Sequence, residues 1–150
     1  MERIERSIEV ECPVSTVYNQ WTQFEEFPRF MKGVNSVKQL DAKRLHWEAE
    51  VAGKIKEWDA RITDQFPDQL IAWQSEGGEH TSGVVSFRPV GPNCTRISLQ
   101  LMYDPEGFVE KAGDALGVVS SRVEGDLIRF KEFIENKGHE TGAWRGTIRE

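Results

Sequence analysis

Residues 2 to 11 alternate between apolar and polar: Ile4, Ile8 and Val10 share one side while Glu5, Ser7, Glu9 and Glu11 take the other. Alternation of this kind predicts a strand with one wet face. Cys12-Pro13 stops it, and Val14, Val17, Tyr18 and Trp21 then recur at helical spacing, with Pro13 suited to a first helical position. Thr22 with Glu25 three residues on has the form of a capping box for one more turn, which Pro28 limits by disfavouring helical geometry at Phe27. Phe24 to Met31 therefore reads as a broken, aromatic helix or loop.

From Gly33 to Tyr103 the period is two, punctuated by turn chemistry at Asp41-Ala42-Lys43, near Gly53, at Pro67-Asp68, at Gly77-Gly78 and at Gly91-Pro92-Asn93. That spacing predicts about six strands in hairpin succession. Leu45, Trp47, Ala49 and Val51 share a face, with Arg44, His46, Glu48 and Glu50 opposite. Trp58, Ala60 and Ile62 continue the apolar set while Glu57, Asp59 and Arg61 face out, and the phase change after Ile55 suggests a bulge near Lys56. Gly83, Val85 and Phe87 oppose Ile97, Leu99, Leu101 and Tyr103 across the Gly91 turn.

Asp104-Pro105 is a helix start, and Val109, Ala112, Leu116, Val119, Val123, Leu127, Phe130 and Ile134 recur every three or four residues up to a C-cap at Gly138. Gly113, Gly117 and Gly125 weaken the pattern, so a poor first segment and a continuous helix from about Gly117 are expected. The stretch from His139 to Glu150 has no periodicity and is either disordered or docked through Trp144. Residues 1–138 are read as one domain and 139–150 as its tail.

One strand, two short helical pieces, six further antiparallel strands and a long C-terminal helix make an α+β order. A sheet with one dry face and one amphipathic helix bury both faces only if the sheet curls around the helix. A slim helical stripe, built from Ala112, Ala115, Gly117 and Val119, leaves room for a cavity between them.

Composition then removes function classes. The chain has 150 residues and a formal charge of −6, with basic residues scattered singly, so no counterion-displacing stripe for nucleic acid exists. It has neither a long apolar span nor a signal-peptide core, and reads as cytoplasmic. Cys12 and Cys94 lie far apart without a CxxC partner, and His46, His80 and His139 come from unrelated places, so no disulfide, metal or cofactor is expected. HExxH, GxSxG and phosphate-loop motifs are absent.

The pattern from Ile4 to Gly138 resembles the START-like (SRPBCC) superfamily, in its polyketide cyclase/dehydrase and coenzyme Q-binding-like branch. The resemblance rests on Val14-Ser15-Thr16-Val17-Tyr18 with Trp21, on Phe27-Pro28-Arg29-Phe30-Met31, on Glu57-Trp58-Asp59-Ala60 and on Ile71-Ala72-Trp73. Alternating Gly83, Val85, Phe87 and Pro89, then Thr95-Arg96-Ile97 and Leu127-Ile128-Arg129-Phe130-Lys131, extend it. It implies a helix-grip fold, a seven-stranded curved antiparallel sheet around the C-terminal helix, with an apolar cavity opening near Phe24 to Met31.

Trp47, Trp58, Trp73, Phe87 and Tyr103 on successive strands are candidate cavity walls, with Leu99, Leu101, Leu116 and Val119 beside them. Phe27, Phe30 and Met31 are candidate gate or lip residues, the last two preferred, where transient membrane contact would occur. Glu57, Asp59, Arg61 and Arg88 fall on the outer face, and the inner face offers only Tyr103, Ser75, Thr81 and Thr95 as polar groups, so no catalytic residue is assigned. The expected partner is a hydrophobic small molecule: a lipid, a quinone or a polyketide. Two alternatives stay open, an aromatase/cyclase working around Tyr103 and an interaction module with a filled core. A cavity below roughly 300 Å³ favours the filled core, since ligand pockets usually exceed that size.

Overall fold

A computed structural model describes residues 2–51, 53–76, 81–103 and 112–149, and among these all side chains except those of 2, 51 and 112–118. The order is β1 (Glu2–Val10), α1 (Val14–Trp21), a 3-10 helix (Phe24–Arg29), β2 (Val34–Gln39), β3 (Arg44–Val51), β4 (Lys54–Phe66), β5 (Leu70–Glu76), β6 (Thr81–Gly91), β7 (Cys94–Tyr103) and α2 (Ala112–Lys137). The strands form one antiparallel sheet in the order β1-β7-β6-β5-β4-β3-β2. The meander from β2 to β7 follows the turn signals, and β1 closes the far side by pairing with β7 from Glu2↔Tyr103 to Val10↔Thr95.

The sheet curls around α2 as the helix-grip architecture requires. Val119, Val123, Leu127, Phe130 and Ile134 form the buried stripe of α2. Full burial of each such side chain contributes roughly 1.5–3 kcal/mol, the larger part of what holds helix to sheet. Polar ties fasten α2 along two sides. Towards β1, Lys131 Nζ donates to Glu9 O at 3.1 Å and Glu135 Oε2 accepts from the Glu11 amide at 2.7 Å. Towards the loop before β2, Arg129 Nε donates to Phe30 O at 2.9 Å and Asp126 Oδ1 accepts from the Lys32 amide at 3.0 Å.

Three local expectations change. No capping box forms: Thr22 Oγ1 donates back to Asn19 O at 2.6 Å, Glu25 Oε2 accepts from the Gln39 amide, and Gln23 is the N-cap of the 3-10 helix without a side-chain bond. Register between β3 and β4 is continuous from Arg44↔Arg61 to Val51↔Lys54, so no bulge lies near Lys56. The irregularity sits between Ile62 and Asp64 against β5 instead. Lys54 and Lys56 thus share the phase of Trp58 at the end of the hairpin, where long side chains can carry their charge to water while their stems cover apolar surface. Finally, α2 is helical from Ala112, and Gly113 and Gly117 do not interrupt it. The Asp104-Pro105 start and Val109 lie outside the described residues. At the other end Gly138 adopts φ +76° and its amide returns to Ile134 O at 2.8 Å, the left-handed cap that ends the helix.

The stretch after Gly138 is docked, and Trp144 is only one of its contacts. Thr141 exchanges hydrogen bonds with the Gln20 side chain, Arg145 binds Asn19 Oδ1 at 2.6 Å and Asp68 Oδ2 at 2.8 Å, and Ile148 makes a two-way backbone bridge to Gln65 of β4 at 2.9 Å. Ile148 is 4% exposed, so its side chain completes the core below α1.

Candidate functional site

One end of the space between sheet and helix is filled and the other is not. At the filled end Tyr18 and Trp21 of α1 meet Phe87 edge-on at 5.3 and 6.2 Å, and Trp21 meets Phe130 at 4.9 Å. At the other end is a cavity of about 180 Å³. The difference lies in side-chain size along α2. Phe130 and Ile134 fill their end, whereas Val119, Val123 and Leu127, up to three turns before Phe130, are smaller or shorter and line a gap.

The strands supply the aromatic wall. Trp47 of β3 and Trp58 of β4 are cross-strand partners, and their rings stack 5.9 Å apart at an interplanar angle of 2°. Trp73 of β5 lies over Gly83 of β6, its cross-strand partner. A Cβ at Gly83 would stand 2.5 Å from Trp73 Cζ2 and 2.8 Å from Gln100 O, so the absence of a side chain there is what lets the indole lie along the sheet. Leu99 and Leu101 of β7 continue this wall, and Leu45, Ala49, Ile62, Ile71 and Thr81 complete it. Trp21, Phe24, Phe27, Met31 and Val34 close the side of α1 and the 3-10 helix.

Of the residues expected at the site, Phe27, Met31, Trp47, Trp58, Trp73, Leu99, Leu101 and Val119 stand on this lining. Phe30 does not: it is 2% exposed and packs against Phe130 at 5.1 Å and Phe133 at 5.4 Å. Phe87 belongs to the aromatic cluster with Tyr18 and Trp21, and Tyr103 is fully buried off the lining. The Leu116 side chain and His80 lie outside the described residues. On the outer face His46 Nδ1 is 2.6 Å from Asp59 Oδ1 and its Nε2 is 3.1 Å from Glu57 Oε1, which gives these carboxylates a structural partner away from the cavity.

Sequence reasoning missed the polar side of the cavity because it searched the strands. Arg122 and Asp126, one turn apart on α2, line it beside Val119 and Val123. Asp126 Oδ1 accepts from Arg129 Nη2 at 2.5 Å and from the Lys32 amide, so its charge is matched by the arginine. Burial pushes its carboxyl pKa up, while the Arg129 and Lys32 hydrogen bonds pull the other way. Arg122 Nη1 donates to Glu50 O, and its guanidinium lies where a Cβ at Gly33 would stand, 2.6 Å from Nη1. Gly33 has φ +86°, so both the backbone conformation and the packed arginine favour glycine there. Arg122 and Asp126 flank the buried 119–123–127 stripe at i+3 and i−1, positions that in a sequence read as a solvated helix edge.

Comparison with known proteins agrees with this architecture. Residues 10–132 match the sequence profile of a family described as polyketide cyclase / dehydrase and lipid transport. An uncharacterised 17.2 kDa protein of the melC2-rnhH intergenic region of Streptomyces lincolnensis is 49% identical over 149 residues, 99% of each chain. Among solved structures, the Zhui aromatase/cyclase of Streptomyces sp. R1128 superposes with a TM-score of 0.77 at 18% identity, covering 95% of this chain and 99% of its own. A START superfamily protein of Mycobacterium smegmatis gives 0.70 at 14% identity, covering 90% and 95%. At these identities the two structures speak to the fold.

Proposed function

This chain belongs to the polyketide cyclase / dehydrase and lipid transport family, and we propose that it binds a compact hydrophobic molecule between its sheet and C-terminal helix. The observation that carries the reading is the aromatic-lined cavity itself, whose sheet wall is made of apolar side chains from β3, β4, β5 and β7 with Thr81 from β6. Its volume of about 180 Å³ sets the ligand's size. Apolar cavities of roughly 150 Å³ hold a benzene ring, so one or two fused rings fit these walls, whereas a full lipid, a long-tailed quinone or a folded polyketide does not fit unless the walls move.

The same volume favours a second reading, since it is below the roughly 300 Å³ typical of ligand pockets. In that reading the gap is a packing remainder and the domain acts through its surface. A cyclase reading loses support because Tyr103, its inward acid, is off the lining.

A titration with an uncharged two-ring probe, 2-naphthamide, followed by tryptophan fluorescence separates the first two readings. Saturable one-to-one quenching is expected, and Leu99→Trp, which places an indole inside the cavity, is expected to abolish it while the circular dichroism spectrum is retained. Quenching that persists in a folded Leu99→Trp protein would place the ligand elsewhere.

A further inference from the structure

We infer that the ligand of this cavity is an aromatic carboxylate whose anionic group is held by Arg122. The inference rests on the binding reading above and narrows it to a chemical class. Arg122 is part of the cavity lining and donates to the Glu50 carbonyl; Asp126, one turn on, acts on it through its charge, yet among the described residues Arg122 has no direct carboxylate partner. Other arginines and lysines of the molecule have one: Arg129 pairs with Asp126, Arg145 with Asp68, Arg96 with Glu9 and Lys131 with Glu135. A guanidinium presents a planar fork of donors that matches a carboxylate, and one bond to a backbone carbonyl leaves most of that fork unused.

The nearby acid shares its charge between two arginines, and Arg129 is the stronger partner. Asp126 lines the same wall, but its Oδ1 is engaged by Arg129 and by the Lys32 amide, which ties it to the loop before β2. Beyond Arg122 the cavity is bounded by indole and phenyl rings, Trp47 and Trp58 stacked among them, which offer flat faces and edges to a planar ring. An aromatic body with one carboxylate satisfies both surfaces. The formal charge of −6 gives anions no general attraction to this molecule, and the preference for an anion is assigned to this guanidinium.

Two probes of nearly equal shape test the class: 2-naphthoate and the uncharged 2-naphthamide, titrated in parallel into wild type, Arg122→Gln and Arg122→Lys. The readout is the ratio of the two affinities within each protein, which cancels general effects of a substitution on packing. Wild type is expected to prefer 2-naphthoate by roughly tenfold or more, the size of a charge-assisted hydrogen bond to a carboxylate. Arg122→Gln, which keeps a donor for Glu50 O but no charge, is expected to bring the ratio near unity, and Arg122→Lys to restore part of it. A wild-type ratio near unity, or one that Arg122→Gln leaves unchanged, overturns the inference while 2-naphthamide binding keeps the cavity reading intact. Binding of neither probe overturns the cavity reading and the inference with it.

Discussion

Gly83 shows how a single position shapes the cavity. Its missing side chain lets Trp73 lie flat, and with a methyl group there the indole must swing towards the open space, because the other close neighbour is the Gln100 carbonyl on the sheet backbone. Gly83→Ala is expected to cost about 1–3 kcal/mol in urea denaturation, the usual penalty of overpacking. It should also weaken 2-naphthamide binding by narrowing the space. Wild-type stability and affinity in that variant would show that Trp73 is free to move elsewhere. His46 gives a pH-dependent counterpart on the other face. Hydrogen bonds to Asp59 and Glu57 raise its pKa above the ordinary 6.5. A histidine raised on folding stabilises fully below its unfolded value, and that contribution is lost as pH rises through the folded value. The stability gap between wild type and His46→Gln should therefore be wider at pH 5.5 than at pH 8.5 (~3 pH units apart) in matched denaturation curves. The gap will be small, because the pair is exposed and screened; a gap that widens with pH would contradict the assignment.

Among the elements, the stretch from His139 onward acts as a strap rather than a loose end. Its Ile148 bridge adds a backbone pair to Gln65 at the bulged end of β4, and its Arg145 sits 5.5 Å over the Tyr18 ring while binding Asp68. Ile148→Ala should cost about 2 kcal/mol, at the low end for a buried isoleucine because the strap lies at the edge of the core. The Gln65 and Ile148 amides should exchange slowly with solvent in the wild type and quickly in the variant, and rapid exchange in both would show that the strap is not held in solution. Sequence periodicity exposed most of the elements: strict alternation in β3, β6 and β7, and the stripe of α2, each have one dry face and so leave a period in the sequence. It failed where packing, not periodicity, decides. Lys54 and Lys56 continue the inner phase at the rim of the sheet, where charge reaches water, and this was misread as a bulge. The strap has no period because its residues are recruited singly: Thr141 to Gln20, Arg145 to Asn19, Ile148 to Gln65. The aromatic strand positions of the cavity were legible from alternation, but Arg122 and Asp126 were not, since on a helix edge they look like any solvated pair.

At the scale of the whole molecule the fold is a grip: a curled sheet holds a helix that fills one end of the enclosed space with Phe130 and Ile134 and leaves the other to Val119, Val123 and Leu127. No helix among the described residues is long and apolar enough to cross a membrane. The space lined for a ligand lies between sheet and helix. The relatives share the architecture, while the walls lining the cavity are this chain's own side chains: four tryptophans, Trp21, Trp47, Trp58 and Trp73, and one arginine without a direct carboxylate partner among the described residues. The central claim is that the cavity is occupied in use. Native mass spectrometry of protein purified from its own host, with solvent extraction of whatever it carries, tests this most directly. A one-to-one adduct of low mass with an aromatic, acidic chromophore is expected. A protein that emerges empty and takes up no aromatic acid, naphthalene derivative or lipid from a supplied panel would contradict it, and would leave the gap as a packing remainder.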